Sequence, residues 1–428
     1  MATTPRNESG GPTLNRMVSC VSDADIDQRA ALASPRLPDR RVVVTVLGIT
    51  QIFAWGSTFY LLGVLATPIG VETGWALDWV MAGISIGLLV AGIVSPRVGR
   101  GIGKNGGGLI LALGAAFLGT GLLLLGAAQN LIWYLCAWVI IGAGMGAGLY
   151  DAAFATLGSI YGKDSRSAIT ALTLFGGFAS TVCWPLSAYL VENLSWRGAC
   201  FVYGAVQLGF ALPLYLLLVP RRSFVAQPKD AAHSAVSLAP NETLIFWVLA
   251  AVLTLGAAIL SMMGTHLIPL LQARGIDLAV AVSLGTLVGP SQVGARVVEM
   301  LAGRHYHPVW TMIASTLLVA IGTLWLLSGA SLIAIAIIFY GAGNGIGSVA
   351  RGTLPLTLFG PERYAALIGR LALPILMAMA LSPYAGALAF RAGGATFTLA
   401  ILFGLAATNV ILVLVLRNLC MNHADYRV

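Results

Sequence analysis

Two charged side chains, those of Asp151 and Arg351, lie inside long apolar stretches of the chain. A charge in the middle of a bilayer costs roughly 2.5–3.5 kcal/mol on insertion scales, so such residues usually face protein or water and often mark a pathway. The planar guanidinium group of arginine suits the two oxygens of a carboxylate. We therefore predict that Arg351 binds the anionic group of a solute, and that Asp151 is its counter-ion or a proton carrier.

A second interpretation of the same two residues stays open. Each lies several positions from the middle of its apolar stretch, on the side that the distribution of lysine and arginine assigns to the cytoplasm. Long side chains near the end of a membrane helix can reach water. Opposite charges in that place can also hold two parts of a protein together, so the two residues would then form a latch instead of a binding site.

Further polar residues share the apolar stretch of Arg351. Tyr340, Asn344 and Ser348 precede it at intervals of four, four and three residues. This spacing puts all four side chains on one face of a helix. We predict that this face lines a pathway through the protein.

Other apolar stretches carry candidate pathway residues as well. Gln51, Trp55 and Thr58 share one helical face, and His266 lies toward the outer end of a later stretch. Trp55 is a candidate to stack on a ligand, and His266 is a candidate proton relay, since histidine titrates near neutral pH. For each of these two residues, ordinary packing or a hydrogen bond at a helix end is the alternative.

A further charged pair, Arg296 and Glu299, has the i, i+3 spacing of a helical ion pair. Such pairs are common on helix surfaces. We expect these two side chains to form a surface pair at the inner end of their stretch.

These polar residues are exceptions in a strongly apolar chain. Only 9% of the residues are charged and 58% are hydrophobic, whereas soluble domains carry about 25% charge. A helix needs about 20 mostly apolar residues to cross a bilayer. The chain has twelve such stretches, roughly at 42–69, 78–96, 107–127, 131–160, 166–191, 198–219, 243–271, 279–302, 309–328, 331–358, 366–390 and 393–417. We predict an all-α membrane protein with twelve transmembrane helices.

The polar segments between these stretches predict the domain boundaries. We expect a disordered cytoplasmic tail at 1–40, a six-helix bundle at 41–219, a cytoplasmic central loop at 220–242, a second six-helix bundle at 243–418 and a cytoplasmic tail at 419–428. Of the 24 lysine and arginine residues, 20 lie on the side of the N-terminus, and only Arg197, Arg274 and Arg391 lie in the opposite loops. This bias predicts that both termini are cytoplasmic.

The two predicted bundles contain an internal repeat. Alternating glycines recur at an offset of 199 residues, where Gly142, Gly144, Gly146 and Gly148 match Gly341, Gly343, Gly345 and Gly347. Small residues at this spacing let helix backbones approach closely. Counted from the two glycine ladders, Asp151 and Arg351 differ by one position, so we expect them at similar depth in the two bundles. Repeats of this kind are typical of transporters, which bind the substrate between the two halves.

Prolines also repeat between the two bundles. Pro185 matches Pro383 at an offset of 198 residues, in the fifth and eleventh predicted spans. A proline inside a helix removes a backbone hydrogen bond and bends the helix. We predict that these two prolines, together with Trp184, form hinges or gates.

Two short motifs add a family resemblance. The loop from Gly99 to Gly106 is similar to the Gly-x-Leu-x-Asp-Arg-x-Gly signature of the major facilitator superfamily, with Lys104 in place of the arginine and Gly103 in place of the acid. Ser195, Trp196 and Arg197 resemble the family's Gly-Trp-Arg element. The chain thus resembles a bacterial-type twelve-span member of that superfamily over about residues 41–417. The resemblance implies two pseudo-symmetric bundles in the cell inner membrane, and a cavity lined by spans one, four, seven and ten. It also implies a gating role for Gly99, Lys104 and Gly106.

Several other classes of function are excluded or disfavoured. Gly101, Gly103 and Gly106 match a dinucleotide fingerprint, but the βαβ unit that this fingerprint requires is not predicted around them. The five cysteines have no metal-site spacing, so we expect no metal, and we expect no cofactor either. The net charge of +8 comes from basic residues that cluster in cytoplasmic loops, so we expect no nucleic-acid partner. An enzyme within the membrane would need paired carboxylates, a metal cluster or a nucleophile with its base. Asp151 is the single acid predicted clearly inside a span, and no histidine cluster accompanies it.

The predicted function is therefore secondary active transport by alternating access. The substrate is predicted to be a small organic anion because of Arg351, with protons as the candidate coupling ion, in a monomer within the lipid bilayer. A multidrug exporter that uses Asp151 for cationic solutes is one alternative, and metalloid efflux through Cys136, Cys183 and Cys200 is another. A non-transporting membrane sensor is an alternative from a different class.

Overall fold

The structure is a computed structural model that describes residues 39–221, 238–303 and 306–422. Most of the predicted tail at 1–40, the greater part of the predicted central loop, and residues 423–428 of the predicted C-terminal tail lie outside the described residues. Within the described residues the fold is helical and contains no β-strand.

The described N-terminal part, residues 39–221, contains nine α-helices. They are α1 (Arg40–Gly56), α2 (Leu62–Thr73), α3 (Leu77–Asn105), α4 (Gly107–Gly126), α5 (Leu131–Gly148), α6 (Tyr150–Tyr161), α7 (Ser165–Gly177), α8 (Ala179–Val206) and α9 (Leu212–Leu218). A 3-10 turn at Gly162–Asp164 precedes α7, and a π-helical turn at Gln207–Ala211 joins α8 to α9.

The described C-terminal part, residues 238–303 and 306–422, contains five. They are α10 (Pro240–Gln272), α11 (Leu278–Gly285), α12 (Val288–Ala302), α13 (Pro308–Ser328) and α14 (Ile333–Asn422). Gly360 and Gly394 have left-handed φ values of 72° and 68° and divide α14 into three segments. These breaks lie at the boundaries that hydropathy predicts between spans ten, eleven and twelve.

The helices are long and apolar enough for a membrane protein. Six stretches of helix among the described residues could cross a bilayer by length and composition, and two of them, Leu131–Leu218 and Ile333–Met421, are 88 and 89 residues long. One crossing needs about 20 residues, so each of these two stretches contains several crossings. The predicted all-α membrane fold is confirmed, while the count of twelve spans and the side of the termini stay predictions.

Four spans that hydropathy predicts as continuous are broken in the structure. The first is interrupted at residues 57–61, the fourth at Leu149, the fifth at Phe178 and the eighth at residues 286–287. A hydropathy window averages apolar content and is blind to backbone direction, so it cannot detect a break inside an apolar stretch. At Leu149 the backbone is extended, with φ −86° and ψ −170°.

The two glycine ladders pack as the repeat predicts. A Cβ atom at Gly142 would lie 2.5 Å from a backbone oxygen of α3, and one at Gly144 would lie 2.7 Å from a backbone nitrogen of α4. In the second repeat, Gly345 and Gly343 would come within 2.4 Å and 2.7 Å of backbone oxygens of α12 and α13. Each ladder therefore lets one helix approach two neighbours at backbone distance.

The element at Ser195, Trp196 and Arg197 fixes a break inside α8. Ser195 has a left-handed φ of 65°, a conformation that favours glycine, which is the residue at this position in the Gly-Trp-Arg element. The Arg197 guanidinium donates to Glu72 over 2.9 Å and to the carbonyl oxygens of Gly126 and Ala128. This arginine ties α2 and the end of α4 to α8.

A second set of close contacts joins the N-terminal to the C-terminal part. We call it the glycine junction, and it consists of Gly99, Gly158, Tyr364, Ala365 and Gly369. A Cβ atom at Gly99 would lie 2.3 Å from the Ala365 carbonyl oxygen and 3.0 Å from the Gly369 Cα atom, and one at Gly158 would lie 2.3 Å from the Tyr364 ring. At this junction α3 and the middle segment of α14 touch through their backbones.

Replacing Gly99 by alanine should weaken the glycine junction, because α3 and α14 must separate to admit a methyl group. Overpacking of this kind costs about 1–3 kcal/mol. We expect a lower midpoint of thermal unfolding in detergent. Gly404 in the last segment of α14 has no heavy atom within 4 Å of its added Cβ, so Gly404→Ala is the matched control. An equal or higher midpoint for Gly99→Ala would contradict the proposed contact.

Candidate functional site

An ion pair between the N-terminal and C-terminal parts lies at the centre of the candidate site. Nη2 of Arg351, in the first segment of α14, lies 2.6 Å and 2.8 Å from the two carboxylate oxygens of Asp151. Their side chains are only 19% and 12% exposed. Asp151 belongs to the first turn of α6, where the helix dipole favours a negative charge. The break at Leu149 creates this helix start.

A cavity of about 170 Å³ lies beside the ion pair and between the two parts of the chain. The N-terminal part supplies Trp55, Phe59, Tyr60, Tyr150, Gly176 and Gly177 to its wall. The C-terminal part supplies polar residues, which are Gln292, Arg296, Ser315, Thr316, Asn344, Ser348, Arg351 and Asn409, and an apolar set that includes Val252, Leu253, Leu260, Met312, Val319 and Met379. Of the predicted pathway residues, Trp55, Asn344, Ser348 and Arg351 line the cavity.

Every break in the four interrupted spans lies next to this wall. Trp55 and Tyr60 flank the break between α1 and α2, Tyr150 follows the break before α6, and Gly177 precedes the break before α8. Gln292 lies within the first turns after the break between α11 and α12. Irregular backbone inside a membrane protein is tolerated where it lines a cavity or is buried in protein, and this wall meets that condition.

Three buried donors in the cavity wall have no hydrogen-bond acceptor among the described residues. They are Trp55 Nε1, Asn344 Nδ2 and Arg351 Nε. Leaving a buried polar group unpaired costs about 1–3 kcal/mol. A ligand with oxygen acceptors would remove that cost, so the wall is chemically suited to an oxygen-bearing solute.

Aromatic rings cover the wall that the N-terminal part supplies. The ring of Trp55 lies 5.0 Å from that of Tyr150 and 5.7 Å from that of Phe59, measured between centroids. Trp184, a predicted hinge residue, contacts the Tyr60 ring and donates its indole N–H to the Tyr60 carbonyl oxygen over 3.3 Å. Trp184 therefore contacts Tyr60 of this wall but does not itself line the cavity.

Five predicted pathway residues do not line the cavity in this conformation, namely Asp151, Gln51, Thr58, Tyr340 and His266. Gln51 donates to the Gly148 carbonyl oxygen over 2.5 Å, which satisfies a carbonyl freed by the break at Leu149. Thr58, in the break between α1 and α2, donates to the Ala54 carbonyl oxygen of α1 over 2.6 Å. Tyr340 is only 2% exposed. A ring nitrogen of His266 lies 3.0 Å from the Pro383 carbonyl oxygen, which connects α10 to α14.

The other predicted gating residues occupy helix ends and helix interiors. Lys104 is exposed in the last turn of α3, where a cation complements the helix dipole. Gly106 has φ 80° and forms the tight turn into α4. Helical backbone continues through Pro185 in α8 and Pro383 in α14, so neither proline ends its helix.

The predicted surface pair of Arg296 and Glu299 is wrong. The two residues are 6% and 7% exposed and form no ion pair with each other. The Glu299 carboxylate instead accepts from the hydroxyls of Tyr306 and Thr311, at 2.9 Å and 2.8 Å. Burial and this hydrogen bond to Glu299 raise the pKa of Tyr306, which lies in the turn before α13.

Arg296 is the functional candidate that sequence reasoning missed, and it lines the cavity. The signal was available, since Arg296 lies inside the predicted span 279–302. The rule that marked Arg351, a charge inside an apolar stretch, would also have marked Arg296. The helical spacing to Glu299 suggested a surface partner that the fold does not provide.

Comparison with known structures identifies the fold. A crystal structure of the human organic anion transporter MFSD10 (TETRAN) matches with a TM-score of 0.69 at 16% identity, over 88% of this chain and 100% of that one. A crystal structure of the E. coli fucose:proton symporter FucP matches with a TM-score of 0.67 at 14% identity, over 87% and 98% of the two chains. No curated protein matches at the level of sequence.

A family model supplies the assignment at the level of sequence. The model of the Major Facilitator Superfamily matches residues 44–306, which is more than half of the chain. The helical fold, the long apolar helices and the two structural neighbours agree with that match. Together they identify an integral, multi-pass membrane protein of a transporter family and not an enzyme. The chain belongs to the Major Facilitator Superfamily.

Proposed function

We propose that the protein is a secondary active transporter that moves a small organic anion by alternating access. The observation that carries the proposal is the position of Arg351, which lines the cavity while its only acidic partner among the described residues, Asp151, comes from the other part of the chain. Two of the structural neighbours are an organic anion transporter and a fucose:proton symporter. The first supports an anionic substrate, and the second supports only the coupling to protons.

The ion pair supplies a mechanism for the conformational change. A substrate carboxylate offers Arg351 the same two acceptors as Asp151 does, so substrate and Asp151 compete for one guanidinium. Competition weakens the contact between α6 and α14, which belong to different parts of the chain. A ligand shifts a conformational equilibrium by its difference in affinity for the two states, and this exchange of partners provides such a difference.

A proton on Asp151 would act in the same direction. Protonation of a carboxylate oxygen removes the negative charge that holds Arg351, and Arg351 becomes free to bind the substrate anion. The proton and the anion then leave the site together when the opposite side opens. We therefore propose proton symport, with Asp151 as the proton-binding group.

The conformation in the structure fits one stage of this cycle. The glycine junction closes the end of the molecule near Lys104. The bias of lysine and arginine residues assigns that end to the cytoplasm. We propose that the structure represents a state closed on the cytoplasmic side. The two bundles, 41–219 and 243–418, would span the cell inner membrane, with both termini in the cytoplasm.

The residues around the cavity disfavour the alternative of cationic drug export. No aspartate or glutamate is among the described residues that line the cavity, and the carboxylate of Asp151 is held by Arg351. A cationic solute would therefore meet two arginines without an accessible acid. Metalloid efflux has little support as well, because Cys183 and Cys200 are buried whereas Cys136 is exposed.

Replacing Arg351 by glutamine should strongly reduce anion transport in proteoliposomes. Loss of a charge-assisted contact costs about 1.5–3 kcal/mol, so uptake of benzoate should fall at least about tenfold. Arg351→Lys, which keeps the charge and loses the planar fork, should retain part of the uptake. Arg391→Gln, an exposed position on the same helix α14, is the matched control.

Parallel assays with the cation tetraphenylphosphonium separate the alternatives. Unchanged benzoate uptake by Arg351→Gln would refute the anion site. Transport of the cation alone by the wild-type protein would support the exporter, and no flux of either solute would favour a sensor.

Replacing Asp151 by asparagine should uncouple transport from protons, because the amide cannot take up the proton. We expect the ratio of pH-gradient-driven accumulation to counterflow exchange to fall at least about tenfold. Uptake of radiolabelled benzoate with and without an inward proton gradient measures this ratio. Asp78→Asn, an exposed acid at the start of α3, is the control, and a normal ratio in Asp151→Asn would assign the proton to another group.

A further inference from the structure

The second guanidinium of the cavity, that of Arg296, is held by neutral groups from three helices. Its Nε donates to the Gly345 carbonyl oxygen over 3.2 Å, and Nη1 donates to the Thr173 carbonyl oxygen over 2.9 Å. Its Nη2 lies 3.4 Å from the amide oxygen of Gln292. A guanidinium has five N–H donors, so two of them remain for a ligand.

The charge of Arg296 has no counter-ion among the described residues. Asp151 pairs with Arg351 and not with Arg296. The nearest acid on the helix of Arg296 is Glu299, one turn away, and its carboxylate accepts hydrogen bonds from two hydroxyl groups. Arg296 is nevertheless only 6% exposed. A buried charge without a counter-ion is unfavourable, and a bound anion would offset that cost.

Counting the charges gives the charge of the expected occupant. In the conformation of the structure, where Asp151 pairs with Arg351, the site contains two guanidinium groups and one carboxylate, so its net charge is +1 among the described residues. A monoanion that binds Arg296 in this conformation neutralises the site before Asp151 takes up a proton, whereas a dianion leaves an excess negative charge in an apolar enclosure. The uncompensated charge is on Arg296, and the occupant's anionic group should therefore contact Arg296.

The remaining wall defines the body of the occupant. The wall combines aliphatic and thioether side chains of α10, α13 and α14 with the aromatic rings of Trp55 and Tyr150. Such a wall favours an apolar or aromatic body by the hydrophobic effect and by ring contacts. A volume of about 170 Å³ is small for a ligand pocket and limits the occupant to a small molecule.

We infer that Arg296 is the principal anion-binding residue of the transporter and that its substrate is a small amphipathic monoanion, an organic acid with one carboxylate on an apolar or aromatic body. Arg351 then acts as the residue that exchanges partners between Asp151 and the substrate. This inference rests on the proposed transport of organic anions and adds the substrate class and the residue that selects it.

Binding to the purified full-length protein in lipid nanodiscs tests the substrate class. The probes are benzoate and hexanoate as monoanions, terephthalate as a dianion and benzamide as a neutral analogue of benzoate, measured by titration calorimetry. We expect a monoanion to bind at least about tenfold more tightly than terephthalate and benzamide. Equal or tighter binding of the dianion, or no binding by either monoanion, would overturn the class.

Two variants test the role of Arg296. Arg296→Gln should reduce benzoate affinity at least about tenfold, and Arg296→Lys should lie between that variant and the wild type. Arg100→Gln, an exposed arginine of α3, is the control and should bind like the wild type. Wild-type benzoate affinity in Arg296→Gln would overturn the assignment.

Thermal unfolding separates a binding role from a structural one. Because Arg296→Gln removes a buried charge without a counter-ion, the ligand-free variant should unfold at the same midpoint as the wild type or higher. The increase in midpoint that benzoate gives the wild type should be lost. A merely structural role predicts the opposite result, a lower midpoint with the benzoate-induced increase retained.

Flux measurements distinguish failure of this inference from failure of the proposed function. If the wild-type protein moves no organic anion in proteoliposomes, the proposed function fails. If it moves anions while Arg296→Gln binds and moves benzoate like the wild type, only the assignment of Arg296 fails.

Discussion

The high cost of a charged side chain inside an apolar helical bundle is the constraint on which this structure depends. The protein places three charged groups around one small cavity, and two of them, Asp151 and Arg351, neutralise each other across the boundary between the N-terminal and C-terminal parts. An ion pair in such surroundings is strong only while both partners stay charged and aligned. Any event that neutralises or displaces one partner therefore acts directly on the contact between the two parts.

Helix breaks and glycines together give the pair its geometry. The break at Leu149 starts α6 next to Asp151, and the side chain of Gln51 satisfies a carbonyl at that break. Glycine ladders let α5 and the first segment of α14 approach their neighbours at backbone distance. The cavity forms where four spans lose regular helix, because polar backbone inside a membrane protein must face a cavity or other protein groups.

The sequence predicts much of this arrangement, since its signals are local or periodic. The glycine ladders predict the repeat and the similar depth of Asp151 and Arg351, and the two residues meet at 2.6 Å. The breaks at Leu149 and before α12 escape prediction because hydropathy measures apolar content and not backbone direction. The role of Arg296 depends on neutral acceptors from three helices, a tertiary arrangement that no spacing along the chain encodes.

Distances between spin labels at the two ends of the molecule test the central claim most directly. In a background without reactive cysteines, one label pair replaces the exposed residues Lys104 and Glu362 near the glycine junction, and a second replaces Asp78 and Arg391, exposed residues of the same two helices. If the ion pair holds the junction closed, Asp151→Asn together with benzoate should lengthen the first distance and shorten the second. Two distance distributions identical to those of the ligand-free protein with Asp151 intact would contradict the account.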